Sequence, residues 1–329
     1  MLVNTAHLSW LSGLILCIVF GLSPVTAAAE HTYQLAHMFA RGSLSDQAAN
    51  KFAERVAAQS KGAVQILITP EGMLGDEREN VAQLRKGVLN FSVTGDIIIS
   101  NIGDHYRVIN MPFIYRDAQH ALQAYESSLG NTIRNNLKNE GIEALSWHYV
   151  GTRMLTAQKP IRNANDLKGL RLRLPQDSAS ITTWQALGAD IKQVQFTELA
   201  TALKQGRVDA QENPPNFIRA NQLYLHQKYL IDTNHMPQRQ MFLAGAAFWN
   251  KLPADQRALL RHAAAEASRW ATAEAAAAQR RDLTWLINNG NMTFIQFDRK
   301  GIREIVDNTA KSLAGKEGFL ILDKIRALR

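Results

Sequence analysis

The segment Tyr33-Gln-Leu-Ala-His-Met-Phe-Ala-Arg-Gly-Ser-Leu-Ser-Asp-Gln-Ala-Ala-Asn-Lys-Phe-Ala-Glu-Arg-Val-Ala-Ala-Gln-Ser-Lys-Gly-Ala-Val-Gln-Ile-Leu-Ile-Thr-Pro70 changes its hydrophobic period twice. Tyr33 to His37 reads as a strand. From Ser45 to Ser60 the apolar residues Ala49, Phe52 and Val56 recur on one helical face, and Gly62 stops the run. Ala63 to Thr69 alternates as a second strand, closed by Pro70. Outward from there, Asp76 is placed to cap a helix through Leu84 that ends at Gly87, and Leu89 to Thr94 reads as a third strand. A β-α-β-α-β order requires parallel pairing with right-handed crossovers, so the chain is predicted to be α/β.

The alternation continues. Helices are predicted near Asp117 to Tyr125 and Asn131 to Asn139, then a strand from Glu143 to Trp147. A second unit begins near Gly151. It holds the strand Leu170 to Leu174 stopped by Pro175, a helix Ser178 to Leu187, a helix capped by Thr197 through Gln205, and a short strand from Val208 to Asn213. Pro253 opens an alanine-rich stretch to Asn288, 36 residues without a further Pro or any Gly. As one helix it is about 54 Å long, enough to lie across two domains and brace them; the alternative is two helices joined at a kink. A strand, Met292 to Phe297, and a C-terminal helical region finish the chain.

The 329 residues suit about two domains. The formal charge of +8 admits nucleic acid, membrane surfaces or small anions as partners and decides nothing alone. Leu8 to Leu22 is nearly all apolar, Pro24 breaks it, and Ala27-Ala28-Ala29 precedes Glu30. A short apolar run before a small-residue site is the pattern of a secretory signal peptide, residues 1–29, cleaved after Ala29. Residues 1–29 carry no Lys or Arg, so a retained membrane anchor is the alternative. Cys17 is the single cysteine, and Leu16 before it argues against lipoprotein processing. The chain left after cleavage has no thiol for a disulfide or a thiolate metal site, and export argues against nucleic acid.

No Gly-x-Ser-x-Gly elbow, His-Glu-x-x-His helix or Gly-x-x-x-x-Gly-Lys loop is present, and the histidines lack metal-ligand spacing. Neither cofactor nor metal is expected. Three polar positions fall at loop or strand ends: Arg153 in Gly151-Thr-Arg-Met-Leu155, Arg173 in Lys168-Gly-Leu-Arg-Leu-Arg-Leu-Pro175, and Asn213 in Asp209-Ala-Gln-Glu-Asn-Pro214. Strand alternation puts Arg171 and Arg173 on one face. An arginine at the carboxyl end of a strand in an open α/β sheet sits where ligands bind, and its planar fork matches a carboxylate. The competing reading is that these arginines pair with surface acids.

Leu167-Lys-Gly-Leu-Arg-Leu-Arg-Leu-Pro175, Trp184-Gln-Ala-Leu-Gly-Ala189, Phe196-Thr-Glu-Leu-Ala-Thr-Ala-Leu-Lys-Gln-Gly206 and Val208-Asp-Ala-Gln-Glu-Asn-Pro214, in that order, resemble the solute-binding proteins of TRAP transporters, the DctP family. Asn234-His235, Phe248-Trp-Asn-Lys-Leu252 and Gly72-Met-Leu-Gly75 extend the resemblance over the chain after the leader. It implies a periplasmic clamshell of two α/β domains, joined by crossing strands and a long bracing helix. The expected domains are 30–150 plus 239–278 and 151–238 plus 279–329. It also implies a non-enzymatic, monomeric receptor that captures an organic acid anion and delivers it to a membrane permease of small and large subunits. Carried over by motif, Arg173 holds the ligand carboxylate, Arg153 and Asn213 assist, and Phe196 lines the pocket. Thr94, Asp96 and Phe39 are the first-domain candidates. Ala200 stands where an aromatic is usual, and Ala210 where glycine is usual. The ligand stays open among C4-dicarboxylates, sugar acids and keto acids. A binding module for a sensor or another transporter class, or a periplasmic enzyme, is the alternative.

Overall fold

Two long antiparallel strands organise the molecule. The computed structural model describes residues 29–328; the leader read at residues 1–29 lies, but for Ala29, outside them. In chain order the elements are β1 (His31–Ala36), α1 (Leu44–Gln59), β2 (Val64–Thr69), α2 (Glu77–Arg85), β3 (Phe91–Gly95), α3 (Ala118–Glu126), α4 (Ser128–Asn139), β4 (Ile142–Ala157), β5 (Arg171–Leu174) and α5 (Ser178–Ala186). There follow β6 (Asp190–Gln193), α6 (Leu199–Lys204), β7 (Ala210–Asn213), α7 (Pro215–Ala220), β8 (Tyr229–Gly245), α8 (Ala246–Trp249), α9 (Ala254–Asn288), β9 (Thr293–Gln296) and α10 (Ile302–Ala327). Two 3-10 turns, Asp96–Asn101 and Asp104–Asn110, follow β3.

The strands form one sheet in the order β2-β1-β3-β8-β4-β7-β5-β6, with β9 beside β8. The pairs expected from βα alternation are parallel: β1 with β2 and β3, and β5 with β6 and β7. β8 pairs antiparallel with β3 and with β4, and β4 with β7. β4 is 16 residues long, where a strand of five was predicted, and β8 spans 17 with no counterpart in the sequence reading. Both strands are almost wholly buried, so neither shows the period-2 pattern of a half-exposed strand, and Pro237 interrupts β8. Gly151, where a second unit was expected to begin, lies inside β4 beside a register shift. Its φ is +137°, and a Cβ there would come within 2.8 Å of Pro214 Cβ, so only glycine fits the bend without displacement.

α2 starts as predicted: the Asp76 carboxylate accepts from the Arg78 and Glu79 amides, and Glu79 returns a bond to the Asp76 amide. Thr197 does not cap; the chain makes a 3-10 turn from Phe196 to Glu198, and α6 begins at Leu199 without a side-chain cap. α9 is one uninterrupted helix of 35 residues, about 52 Å long. Ala264, Ala267, Ala271, Ala275 and Ala278 are buried at i+3 and i+4 spacing, and their small side chains let the helix lie close on the sheet. Ser268 bonds Ser146, and Gln279 accepts from the Thr152 amide at 2.6 Å, which seats α9 along β4. One end meets α1 through Glu266 and Gln59; the other meets α7 through Asp282 and Arg219. The brace therefore touches the elements on both sides of the β4–β8 crossing.

Candidate functional site

Where β4 and β8 cross, the strand ends and the loops after β1, β3 and β5 enclose a cavity of about 100 Å³. Arg153, Arg173, Asn213, Phe196, Phe39 and Asp96 all line it. Thr94 does not; it is fully buried in β3 and its hydroxyl has no partner among the described residues.

The arginines differ in company. Arg153 faces Glu212: its Nη2 donates to Glu212 Oε1 and to the Glu212 carbonyl, both at 2.6 Å, and its Nε to Oε2, while Nη1 donates to Gln238. Burial alone would lower the Arg153 pKa; Glu212 outweighs this and raises it. Burial likewise pushes the Glu212 carboxyl up, but Arg153 and a bond from His235 Nε2 at 2.8 Å overcome it and hold Glu212 at about 2. The pair is therefore an internal salt bridge with little charge left over.

Arg173 is 2% exposed, and its Nε donates to the Val194 carbonyl at 2.8 Å. Its terminal nitrogens have no acceptor among the described residues. Burial lowers its pKa to about 10, with Glu212 offsetting and Arg153 reinforcing the effect, so it stays charged at neutral pH. Its neighbour Arg171, two residues earlier on β5, forms a half-exposed pair with Asp209. The surface-acid reading thus describes Arg171, a buried acid holds Arg153, and Arg173 alone is left open. Removing a cation from water without a partner is costly, which sets Arg173 apart from the paired arginines beside it.

Asn213 donates to Gln211 Oε1 at 2.6 Å, Gln211 to Thr156 and Thr156 to Gln227, a chain that fixes its carboxamide at the cavity wall. Phe39 and Phe196 both meet Phe217 edge-on, at 5.6 and 6.3 Å between ring centres, forming an apolar side. Asp96 lines the cavity, but Arg239 and Tyr125 occupy its Oδ2, which makes it an anchor for β8 and no receptor for an anion.

The sequence reading missed Glu77, Asp177, Glu212, Asn110, Gln238 and Gln240. Signals existed for some: Asp177 follows Pro175 as a helix cap, and Gln238-Arg-Gln240 is a polar run inside an otherwise apolar segment. Burial raises Glu77 to about 7, with the Gly95 amide bond opposing, and raises Asp177 to about 6, with the Ser180 bond opposing.

Among the described residues no cluster of His, Cys, Asp or Glu is arranged to hold a metal, and no helix is long and apolar enough to cross a membrane.

Comparison with known proteins places the chain in a family. A solute-binding protein of Verminephrobacter eiseniae is 32% identical over 239 residues, 71% of each chain. The sialic acid-binding periplasmic protein SiaP of Vibrio cholerae is 26% identical over 294 residues, 87% of this chain and 89% of that one. A TRAP periplasmic solute-binding protein of Haemophilus influenzae, crystallised with bound L-gulonate, superposes with a TM-score of 0.82 at 25% identity, covering 90% of this chain and 99% of the other. The model of the bacterial extracellular solute-binding proteins of family 7 matches residues 35–316, and the chain belongs to this family, DctP.

Proposed function

We propose that the protein is an exported receptor that captures an organic acid anion, grips its carboxylate with Arg173, and delivers it to a TRAP-type membrane permease of small and large subunits. The observation that carries this reading is a buried arginine in the wall of a cavity whose terminal nitrogens lack an acceptor among the described residues. A carboxylate supplies two parallel acceptors in the plane of that fork and replaces the water that both ions give up. The Asn213 carboxamide is placed to add a further bond, and Arg153, whose donors are mostly engaged by Glu212 and Gln238, orients the wall more than it binds. The relatives support the ligand class: the Vibrio protein is named for sialic acid and the Haemophilus structure holds L-gulonate, both carboxylic acids.

The lobes 30–150 plus 239–278 and 151–238 plus 279–329 are then the bodies that shut on the anion. Contacts across the cleft favour this: Arg78 donates to Gln176, Ser100 Oγ to Asp177 at 3.4 Å, and Ser180 Oγ to the Asn110 carbonyl at 3.4 Å. Closure is the signal that a permease reads. The receptor works as a periplasmic monomer after its leader is removed, and it releases its ligand chemically unchanged.

A thermal-shift screen over organic acids identifies the ligand, since binding to the folded state raises stability by mass action. A micromolar affinity corresponds to about −8 kcal/mol. Arg173→Lys keeps the charge but loses the fork, and calorimetry is expected to show at least about tenfold weaker binding. Unchanged affinity in that variant ends the assignment of Arg173.

A further inference from the structure

A second hollow, of about 430 Å³, shares no residue with the cavity. It forms where the segment before α3 meets both ends of α10. α10 is broken at Gly315, where φ is +60°, and its end returns to its start: Arg326 donates to Asp307 Oδ1, 19 residues back. An unbroken helix would separate them by about 28 Å. The lining holds four arginines, Arg116, Arg299, Arg303 and Arg326, with Phe113 and Ile302 among its apolar part, and no Asp or Glu.

The four arginines differ in how far the fold occupies them. Arg326 is half-buried and paired with Asp307. Arg116 donates through Nη2 to the Leu328 carbonyl at 2.8 Å. His120 Nδ1 accepts the Arg116 amide, so its Nε2 donates to the Ile325 carbonyl at 2.7 Å, and the last turn of α10 is satisfied from this wall. Arg299 donates to the Asn234 carbonyl at 3.3 Å and stands 6.0 Å from the Phe113 ring. Arg303 is exposed in the first turn of α10. Among the described residues no acid forms an ion pair with Arg116, Arg299 or Arg303. The acids nearby have other partners: Asp117 caps α3, Asp298 accepts from the Lys300 amide, and Asp232, bonded by Asn234, acts on Arg299 only from a distance. Three like charges around one hollow repel each other, and an anion between them relieves that cost.

We propose that this hollow is a second binding site, for a multivalent phosphate-bearing anion. A phosphate directs its oxygens along several directions and accepts from more than one guanidinium fork, whereas a lone carboxylate is filled by one. The site is independent of the acid-capture function, since neither set of residues enters the other.

The probe is tripolyphosphate, titrated by calorimetry into the chain without its leader at low ionic strength, where exposed charges are least screened. One saturable site is expected. Arg299→Gln with Arg303→Gln is expected to weaken it at least about tenfold, since two of the three open forks are lost. Lys61→Gln with Lys86→Gln removes the same net charge at exposed positions outside the hollow and is expected to change affinity by less than about twofold. Arg173→Ala, aimed at the cavity, is likewise expected to leave tripolyphosphate binding unchanged, so failure of either site is read separately. Co-sedimentation with phosphatidylglycerol vesicles, against phosphatidylcholine, names the source. Retention that the Arg299, Arg303 variant loses places the phosphate in a lipid headgroup; tripolyphosphate binding without retention places it free in solution, and both uphold the site. No saturable binding of tripolyphosphate overturns the inference. So does equal weakening in the lysine and arginine double variants, which reduces the effect to net charge.

Discussion

Arg153 on β4 and Arg173 at the end of β5 are the same residue type, similarly buried, in one cavity wall, and they do different work. Arg153 brings its counter-charge within the fold, from β7. Arg173 has a backbone carbonyl and an aromatic ring at 5.9 Å, and among the described residues no acid within 4 Å, Glu212 acting on it only from farther off. The first arrangement spends its electrostatics on structure. The second leaves its terminal donors in the cavity wall without an acid within 4 Å among the described residues. Burial alone therefore does not tell the two arginines apart; the presence or absence of an acid partner in the fold does.

The largest effect that separates the two comes from Glu212→Ala, which strands Arg153 as an unpaired buried charge. Chemical denaturation is expected to show a loss of about 3–5 kcal/mol at neutral pH. The sign with pH follows from the carboxyl. Glu212 sits at about 2 in the folded chain against an ordinary 4.5, so its contribution is complete above about pH 4.5 and fades as pH falls toward 2. The stability gap between wild type and variant must close over that window; a constant gap shows that the loss has a packing origin.

Arg173→Ala inverts the pattern. Ligand affinity is expected to drop by about a hundredfold or more, about 2.8 kcal/mol, since tenfold is about 1.4 kcal/mol. The ligand-free protein loses no more than about 1 kcal/mol, a shift of about 2–4 °C in melting temperature, because no internal ion pair is broken. A large loss of ligand-free stability gives Arg173 a structural role and erases the contrast. The smallest effect belongs to Arg171→Ala. Its pair with Asp209 is open to water, so neither the melting temperature nor ligand affinity is expected to move beyond measurement error.

Much of the layout was legible before the structure. The helices α1, α2 and α9 follow from spacing, caps and the absence of Gly and Pro, which are local properties. So was the segment around Arg173, through its alternation and its likeness to a family. The strand β8 was not. Its middle is Asn234-His-Met-Pro-Gln-Arg-Gln240, polar in composition yet buried because it floors the cavity and carries Arg239 to Asp96. A polar stretch reads as a loop until its partners are known. Asp96 shows the converse: it stands in the cavity wall where a ligand contact was expected, but a cation from β8 already holds it.

Strand-helix alternation, the long helix α9 and the arginines at strand ends could be read from the residues alone, since periodicity and capping act over a few residues. Which arginine lacks an acid partner among the described residues became visible with the packed sheet. Glu212 lies 59 residues from Arg153 and Asp96 lies 143 from Arg239, and charges so distant along the chain compensate each other only once the sheet has brought β7 to β4 and β3 to β8.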